Sequence, residues 1–402
     1  MLSNKSEVIV AGHICLDIIP DLSIHQSPER MFVPGRLSEV GGIQLSTGGA
    51  VSNTGLSLHY LGVPTRLMGK VGNDQFGEVI LNLLKQINPS LTSGMIKAKG
   101  EHSSYSIVLN FPNVDRIFLH CPGTNHTFSK SDVDSIKLED NLLFHFGYPP
   151  LMKRMYENNG EELVELFQSV KNKNGITSLD MALPDADSES SKVDWKRYLS
   201  IVLPYVDIFL PSLEEILFMI RQNNYETILS ENPGESIDKI VPINVIQEIA
   251  EELLDMGSRI VAIKLGEMGI YLRTGDEEKI HHLSEQLEGI AQQWVNRELW
   301  MPCFKTKVVG TTGAGDSTIA GFLMGILKNR SPIEVLNAAV AVGACCVEKA
   351  DATSGILPWE QVQERIDNGW EKLPVTRSLE GFTWNNEYNV WIGPKDSRQL
   401  MP

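Results

Sequence analysis

Short runs of β-branched and other apolar residues alternate with longer helical patterns through most of the chain, and this alternation limits the fold more than any other feature. Such a rhythm is typical of βαβ units, in which parallel strands form a sheet and helices cover its faces. The sequence therefore predicts an α/β fold with a doubly wound, mostly parallel sheet flanked by helices. The predicted strands cover residues 8–11, 65–70, 142–146, 176–180, 208–211 and 260–264, and the first helices cover residues 53–61 and 75–86.

Two stretches, residues 15–46 and 103–121, break this rhythm. Within the second, residues 105–109 and 116–119 alternate like the two strands of a hairpin around Pro112 and Asn113. We expect the two stretches to pair into a small separate β-sheet, which would form a lid over the ligand crevice of the core.

Composition narrows the classes of partner. The 402 residues include 35 Lys and Arg against 51 Asp and Glu, a formal charge of −16, which argues against nucleic acid and against an anionic membrane surface. No apolar stretch reaches the roughly 18 residues of a membrane span, and the polar start of the chain does not resemble an export signal. The five cysteines form no C-x-x-C pair and are interpreted as reduced thiols. These features predict a cytoplasmic protein.

The most informative motif is the glycine-rich run that ends at Asp316, followed by a helical pattern over residues 317–328. Small residues at a helix start let a ligand approach the backbone, and the free N–H groups there favour an anion. Gly313, Ala314 and Gly315 are therefore a candidate anion hole, and Asp316 a candidate base beside it. The same residues could instead form only a tight turn, with Asp316 complementing the helix dipole.

A second glycine cluster lies at the start of an earlier helix. Gly48 and Gly49 precede Asn53, whose amide can both donate to and accept from a neutral hydroxyl. Asp17 follows the first strand, where ligands of open α/β sheets bind. Together these residues suit a polyol. The alternatives are an Asn cap with a glycine turn, and a solvated turn aspartate.

Taken together, these motifs resemble the ribokinase-like (PfkB) family of carbohydrate kinases, and the resemblance runs over roughly residues 8–370. The family's N-terminal signature is matched at residues 48–53 with Gly62, and its G-x-V-G-x-D-x-F-G segment at residues 69–77. Its C-terminal signature is matched at residues 312–316 and 320–322. The resemblance implies a Rossmann-like core with a small β lid, ATP as donor and Mg²⁺ as cofactor.

The resemblance also implies roles for individual residues. Asp316 would be the catalytic base, and Gly313, Ala314 and Gly315 the anion hole. The sugar-like acceptor would be bound by Asp17, Gly48, Gly49 and Asn53. The nucleotide would be bound by Ser212, Lys264, Gly266, Gly269 and Asn337. Glu215 would hold Mg²⁺ through water.

Three positions depart from the family pattern. Ser212 replaces the asparagine of the N-x-x-E element, and Lys264 stands where Thr or Ser is usual. Gly310 replaces the aspartate that commonly opens the D-T-x-G-A-G-D run and that is linked to a monovalent-cation site in several members. We therefore expect weak activation by K⁺ or none.

The predicted domain organisation is a kinase domain over residues 1–375 and a C-terminal extension of unknown role over residues 376–402. A homodimer through the lid is a further expectation. The predicted function is ATP-dependent transfer of the γ-phosphate to a hydroxyl of a sugar or a sugar-derived acceptor. Two alternatives stay open. One is a nucleoside kinase, for which lid aromatics such as Tyr105, Phe111 and Phe118 would matter. The other is a non-catalytic regulator that binds sugar or nucleotide.

Overall fold

The computed structural model describes residues 7–23, 27–111, 116–134, 136, 138–140, 142–281, 283, 287 and 289–398. Its strands are β1 (Val8–Gly12), β2 (Cys15–Pro20), β3 (Ile43–Gly48), β4 (Thr65–Met68), β5 (Lys70–Gly72), β6 (Ile96–Ala98), β7 (Tyr105–Leu109), β8 (Ile117–Cys121), β9 (Leu143–Gly147), β10 (Ile176–Asp180), β11 (Ile208–Phe209), β12 (Ile260–Lys264), β13 (Ile270–Thr274), β14 (Glu298–Met301), β15 (Thr383–Asn385) and β16 (Val390–Ile392).

Helices connect and cover these strands. They are α1 (Pro28–Met31), α2 (Ala50–Tyr60), α3 (Gln75–Ile87), α4 (Lys130–Asp134), α5 (Lys153–Tyr156), α6 (Glu161–Lys171), α7 (Trp195–Val202), α8 (Leu213–Ile220), α9 (Gln222–Glu231), α10 (Ile237–Ile240), α11 (Ile243–Asp255), α12 (Glu277–His281), α13 (Ala314–Leu327), α14 (Pro332–Cys346) and α15 (Trp359–Asp367). None of the helices in these described ranges is both long and apolar enough to cross a bilayer.

The main sheet has ten strands in the order β15-β16-β14-β13-β12-β11-β10-β9-β1-β4. Pairing is parallel from β12 to β4 and antiparallel from β12 to the other edge. Alternate residues of β1 face opposite cores, because Val8 and Val10 pack in one hydrophobic cluster and Ile9 and Ala11 in the other. The predicted fold class is confirmed, with an antiparallel edge added to the parallel sheet.

A separate four-stranded sheet, in the order β3-β2-β7-β8, forms from the two stretches that break the βα rhythm. Its hairpin pairs Tyr105 with Cys121 and Leu109 with Ile117. The predicted turn at Pro112 and Asn113 lies outside the described residues. This sheet is consistent with the expected lid.

Several predicted boundaries move. The predicted strand 65–70 is two strands, because the chain leaves the main sheet at Gly69 and β5 pairs with β6 instead. The predicted strand 208–211 is reduced to β11, and the first helix begins at Ala50 rather than at 53. Beyond residue 376, β15 and β16 complete the antiparallel edge of the main sheet.

Candidate active site

The parallel strands end at one edge of the sheet, where ligands of α/β folds bind. Tyr148 follows β9 directly, while Asp180 closes β10 and Lys264 closes β12. The N-terminus of α13 lies at the same edge, because Asn53 of α2 and Tyr148 both reach its first-turn residue Asp316. The sheet therefore gathers residues that are far apart in sequence.

Asp316 is 4 % exposed and is held by donors on both oxygens. Asn53 Nδ2 donates to Oδ2 over 3.0 Å, and Thr54 Oγ1 donates to Oδ1 over 3.2 Å. The Tyr148 hydroxyl lies 2.8 Å from Oδ1 and 2.9 Å from Oδ2, so its single proton is shared between them. The carboxylate is fixed in orientation by three side chains from two different elements.

Two opposing influences set the proton affinity of Asp316. Burial raises its pKa above the usual value, while the charge of Lys264 and the hydrogen bonds from Tyr148, Asn53 and Thr54 lower it. The net direction is upward. A carboxylate that is more basic than an exposed one is suited to accept a proton from an alcohol.

The glycine-rich turn opens α13 as predicted. Gly313 precedes the helix with φ +72°, and a Cβ at this position would lie 2.5 Å from Cβ of Ala352, so glycine is required. The first N–H groups of a helix have no partner within it, and Ala314 and Gly315 carry the first two here. Ala314 N–H donates to the Thr311 carbonyl oxygen over 3.2 Å, so an anion would have to compete for it, and Gly315 N–H is the second donor. Lys264 Nζ lies 3.7 Å from the point where a Gly315 Cβ would stand. A positive charge therefore adjoins the candidate anion hole.

Lys264 belongs to a buried charged cluster. Its Nζ donates to Asp180 Oδ1 over 2.6 Å. Burial disfavours the charged amine, but Asp180 and Glu215 raise the pKa of Lys264 above its usual value. Burial likewise raises the pKa of Asp180 and of Glu215, against the lowering influence of Lys264. The Lys264 ammonium thus interacts electrostatically with Asp180, Glu215 and Asp316.

Ser212 and Glu215 form the start of α8. The Ser212 hydroxyl accepts from the Glu215 backbone N–H over 3.3 Å, and Glu215 Oε2 accepts from the Ser212 N–H over 2.7 Å. This reciprocal capping box explains how serine replaces the family's asparagine without disturbing the helix start. It also holds the Glu215 carboxylate at the same sheet edge as Lys264, because Ser212 pairs with Lys264 in a β-bridge.

The predicted acceptor residues lie on the lid strands β2 and β3 and at the start of α2. Asp17 on β2 packs over Gly48 on β3, where a Cβ would lie 2.3 Å from Oδ2. Gly49 has φ +87°, and a Cβ there would lie 2.4 Å from Nδ1 of His13. Burial raises the pKa of Asp17 to about 6. The Oδ1 atom of Asn53 is buried and has no hydrogen-bond partner among the described residues, so it can accept from a ligand hydroxyl.

The remaining nucleotide candidates are Gly266, Gly269 and Asn337. Gly266 and Gly269 bracket the turn after β12, and a Cβ at Gly269 would lie 2.0 Å from the Met301 carbonyl oxygen. Asn337 accepts from Lys372 Nζ over 2.7 Å and lines a cavity of about 980 Å³. Within the described part of the chain, that cavity is not lined by the residues of the anion hole.

Sequence reasoning missed Tyr148, Thr54 and Asp180. Tyr148 carries a positive φ of 65°, which is uncommon for a residue other than glycine, and belongs to no motif. Asp180 is the last residue of a predicted strand. Its place at the carboxyl end of a parallel strand, where ligands of α/β folds bind, is the signal that could have identified it. Thr54 adjoins Asn53 but gives no sequence signal of its own.

Comparison with known proteins finds similar chains among sugar kinases and ribokinases. A sugar kinase of Archaeoglobus fulgidus, described as uncharacterized, is 29 % identical over 308 residues, covering 75 % of this chain and 98 % of the relative. Fructokinase-2 of Zea mays is 22 % identical and covers 89 % of this chain and 93 % of its own length. The structure of Arabidopsis thaliana ribokinase complexed with ribose and ATP has a TM-score of 0.62 at 18 % identity, covering 89 % of this chain and 98 % of that one.

The family match extends over nearly the whole chain. Residues 5–360 match the family described as pfkB family carbohydrate kinase, and the matched range includes both glycine clusters and the strand ends described above. The chain belongs to the PfkB family of carbohydrate kinases.

Proposed function

We propose that this protein is an ATP-dependent kinase that phosphorylates a hydroxyl of a sugar or sugar-derived acceptor, with Asp316 as the catalytic base. The observation that carries the proposal is a buried carboxylate, oriented by three donors, in the first turn of a glycine-opened helix with Lys264 beside it. A base, an anion hole and a cation at one sheet edge are the parts that phosphoryl transfer to an alcohol requires.

In the proposed reaction, the acceptor hydroxyl donates to Asp316 and replaces the shared hydrogen bond from Tyr148. The acceptor oxygen then forms a bond to the γ-phosphorus while the bond to the bridging oxygen of ADP breaks. The acceptor proton passes to Asp316. The N-terminus of α13, with the Gly315 N–H, and the charge of Lys264 offset the negative charge of the moving phosphoryl group.

ATP is the proposed donor, and Mg²⁺ the proposed cofactor. The similar ribokinase binds ATP together with a sugar, which supports the same pair of ligands here. Glu215 and Asp180 offer carboxylate oxygens near Lys264, and oxygen ligands with retained water suit Mg²⁺. When bound, the metal would neutralise charge on the phosphates.

The proposed acceptor pocket lies between the lid sheet and α2. Asp17 and Asn53 Oδ1 accept hydrogen bonds from the hydroxyls of the bound sugar. Gly48 and Gly49 let the side chains of Asp17 and His13 pack against the backbone at the edge of this pocket. Residues 15–46 and 103–121 would act as the lid of a kinase domain over residues 1–375. A lid excludes water, which competes with the acceptor as nucleophile.

The lid aromatics offer little support for a nucleoside acceptor. Phe111 packs inside the lid against Leu22 and Leu109, while Phe118 is 55 % exposed. Tyr105 packs edge-on against Phe76 with ring centroids 5.4 Å apart. A regulator without catalysis would have no use for the network around Asp316.

The lid also supports the proposed homodimer. Ile43, Leu45 and Leu119 lie on one face of its sheet, because Leu45 and Leu119 belong to the same row across the four strands and Ile43 lies two residues before Leu45. These three side chains are exposed by 41–64 %. An apolar sheet face of this kind favours contact with a second copy. Sedimentation of the full chain and of Leu119→Ser should show a dimer that the substitution weakens, and a concentration-independent monomer would contradict it.

The test of the function is a screen of sugars, sugar acids and nucleosides for acceptor-dependent release of ADP from Mg-ATP. We expect at least one sugar or sugar acid to become phosphorylated, with nucleosides well behind. Release of ADP at the same rate without any acceptor would contradict the proposal. Preference for a nucleoside would instead support the alternative that the protein is a nucleoside kinase.

A further inference from the structure

Three metal-ligating side chains lie together at the edge of the acceptor pocket, and the proposed reaction uses none of them. They are His13, between β1 and β2, Cys15, the first residue of β2, and His120 on β8. Their ligand atoms all lie within 4.8 Å of one another. We propose that they form a site for a zinc-class transition-metal ion, and that an ion bound there blocks binding of the acceptor.

The spacing of the two histidines matches a shared ion. His13 Nε2 lies 3.3 Å from His120 Nε2. In tetrahedral zinc sites with Zn–N distances of about 2.0–2.1 Å, two nitrogen ligands stand about 3.3 Å apart. A thiolate ligand would stand about 3.6 Å from each nitrogen, so Cys15 Sγ, which lies within 4.8 Å of the histidine ligand atoms, needs a shift of about 1.2 Å at most.

The lid sheet places two of these residues, Cys15 and His120, on one face. Asp17 pairs with Ser106, and Ser106 pairs with His120, so the three residues form one row across β2, β7 and β8. Cys15 lies two residues before Asp17 on β2 and therefore shares its face of the sheet. His13 belongs to the core side, so an ion would join the lid strand β8 to the floor of the pocket.

The surroundings of the site support ligation. The Ser106 hydroxyl lies 2.9 Å from His120 Nδ1, which fixes the ring and leaves Nε2 directed at His13. Asp17 Oδ1 lies 3.3 Å from Cys15 Sγ and adds a negative charge near the ion. His13 and Cys15 are buried, whereas His120 is exposed and provides a route from solvent.

The ion would occupy the space that an acceptor needs, an inference that rests on the proposed function. His13 Nδ1 lies against Gly49, Cys15 contacts Asp17, and the His13 ring lies 6.1 Å from the ring of Tyr148. Three protein ligands leave one tetrahedral position open. Nitrogen and thiolate ligands favour zinc-class ions over Mg²⁺, so the cation that accompanies ATP would not fill the site.

The binding test uses Co²⁺ as a spectroscopic probe with the full chain, excess Mg²⁺ and a non-thiol reductant. We expect one equivalent to give the visible bands of tetrahedral Co²⁺ and a thiolate charge-transfer band. Cys15→Ser should abolish the thiolate band, and His120→Gln should weaken Co²⁺ binding about tenfold or more. Cys121→Ser, one residue along β8, is the matched control and should bind like the unchanged protein.

A thiolate band that survives in Cys15→Ser, or Co²⁺ binding unchanged in His120→Gln, would overturn the proposed site. Because His120 is exposed, His120→Gln should fold even if Cys15→Ser does not. In kinase assays, Zn²⁺ should raise the KM for the acceptor and leave that for ATP unchanged. Inhibition that excess acceptor does not relieve would overturn the block. A protein that binds Co²⁺ as predicted but phosphorylates no acceptor would refute the proposed function alone.

Discussion

Removal of the Tyr148 hydroxyl should change how Asp316 responds to pH. In Tyr148→Phe, the carboxylate keeps the donors Asn53 and Thr54 but loses the one that spans both of its oxygens. Hydrogen bonds to charged groups contribute about 1.5–3 kcal/mol, and here that stabilisation belongs to the ionised form. Its loss raises the pKa of Asp316 further. Because the base must be ionised, the acid limb of kcat/KM should move to higher pH.

The size of the effect follows from the same free energy. Since about 1.4 kcal/mol corresponds to a factor of ten, kcat/KM on the acid limb should fall about tenfold or more. On the alkaline plateau, where Asp316 is ionised in both proteins, the rate should stay within about threefold. The assay is acceptor-dependent ADP release from pH 5 to 9.

Tyr271→Phe is the matched control, because the Tyr271 hydroxyl also donates to a buried carboxylate, Glu298 Oε1, over 2.9 Å. It should lower stability without moving the pH profile. An acid limb at the same pH in Tyr148→Phe and in the unchanged enzyme would refute the assigned role of Tyr148. A uniform loss of rate at every pH would mean that the hydroxyl acts on the substrate instead.

Three further predictions concern the neighbouring charges and the acceptor. Lys264→Met should lower kcat about 100-fold or more, because it removes a positive charge beside the phosphoryl group. It should also move the acid limb to higher pH, because Lys264 lowers the pKa of Asp316, and an acid limb at an unchanged pH would contradict this. Asp17→Ala and Asn53→Ala should each weaken acceptor binding by about 1–3 kcal/mol and ATP binding far less, and calorimetry that shows equal losses would assign them to the fold. Replacement of K⁺ by a bulky organic cation at fixed ionic strength should change the rate by less than about tenfold, and a larger drop would reveal a cation site. The reason is that position 310 supplies no carboxylate to bind the cation; a Cβ at Gly310 would lie 2.9 Å from the Ala350 backbone, which leaves no room for one.

The hydrophobic rhythm of the sequence predicted the parallel half of the sheet well, because strands buried on both faces are continuous apolar runs. It could not predict that residues 65–70 divide at Gly69, since the chain stays extended on both sides and only its partner changes. It also could not assign the pairing of the tail, where β16 pairs antiparallel with β14 and β15 pairs antiparallel with β16.

Sequence motifs predicted those parts of the site whose residues lie within a few positions of one another in the chain. Gly313 and Asp316 are visible because a turn and a helix start need particular residues within a few positions. The donors to Asp316 come from α2 and from the end of β9, up to 263 residues away in sequence. The same limit hides the triad of His13, Cys15 and His120, since the register of the lid strands and the packing of the lid on the core bring it together.

The role of Asp316 is tested most directly by Asp316→Asn, which keeps the size of the side chain and removes its ability to take up the acceptor proton. We predict that phosphoryl transfer to the best acceptor falls by about 10²- to 10⁴-fold, as expected for the loss of a general base, while ATP binding measured by calorimetry is nearly unchanged. Turnover of Asp316→Asn within about threefold of the unchanged enzyme would contradict the assignment of Asp316 as the base.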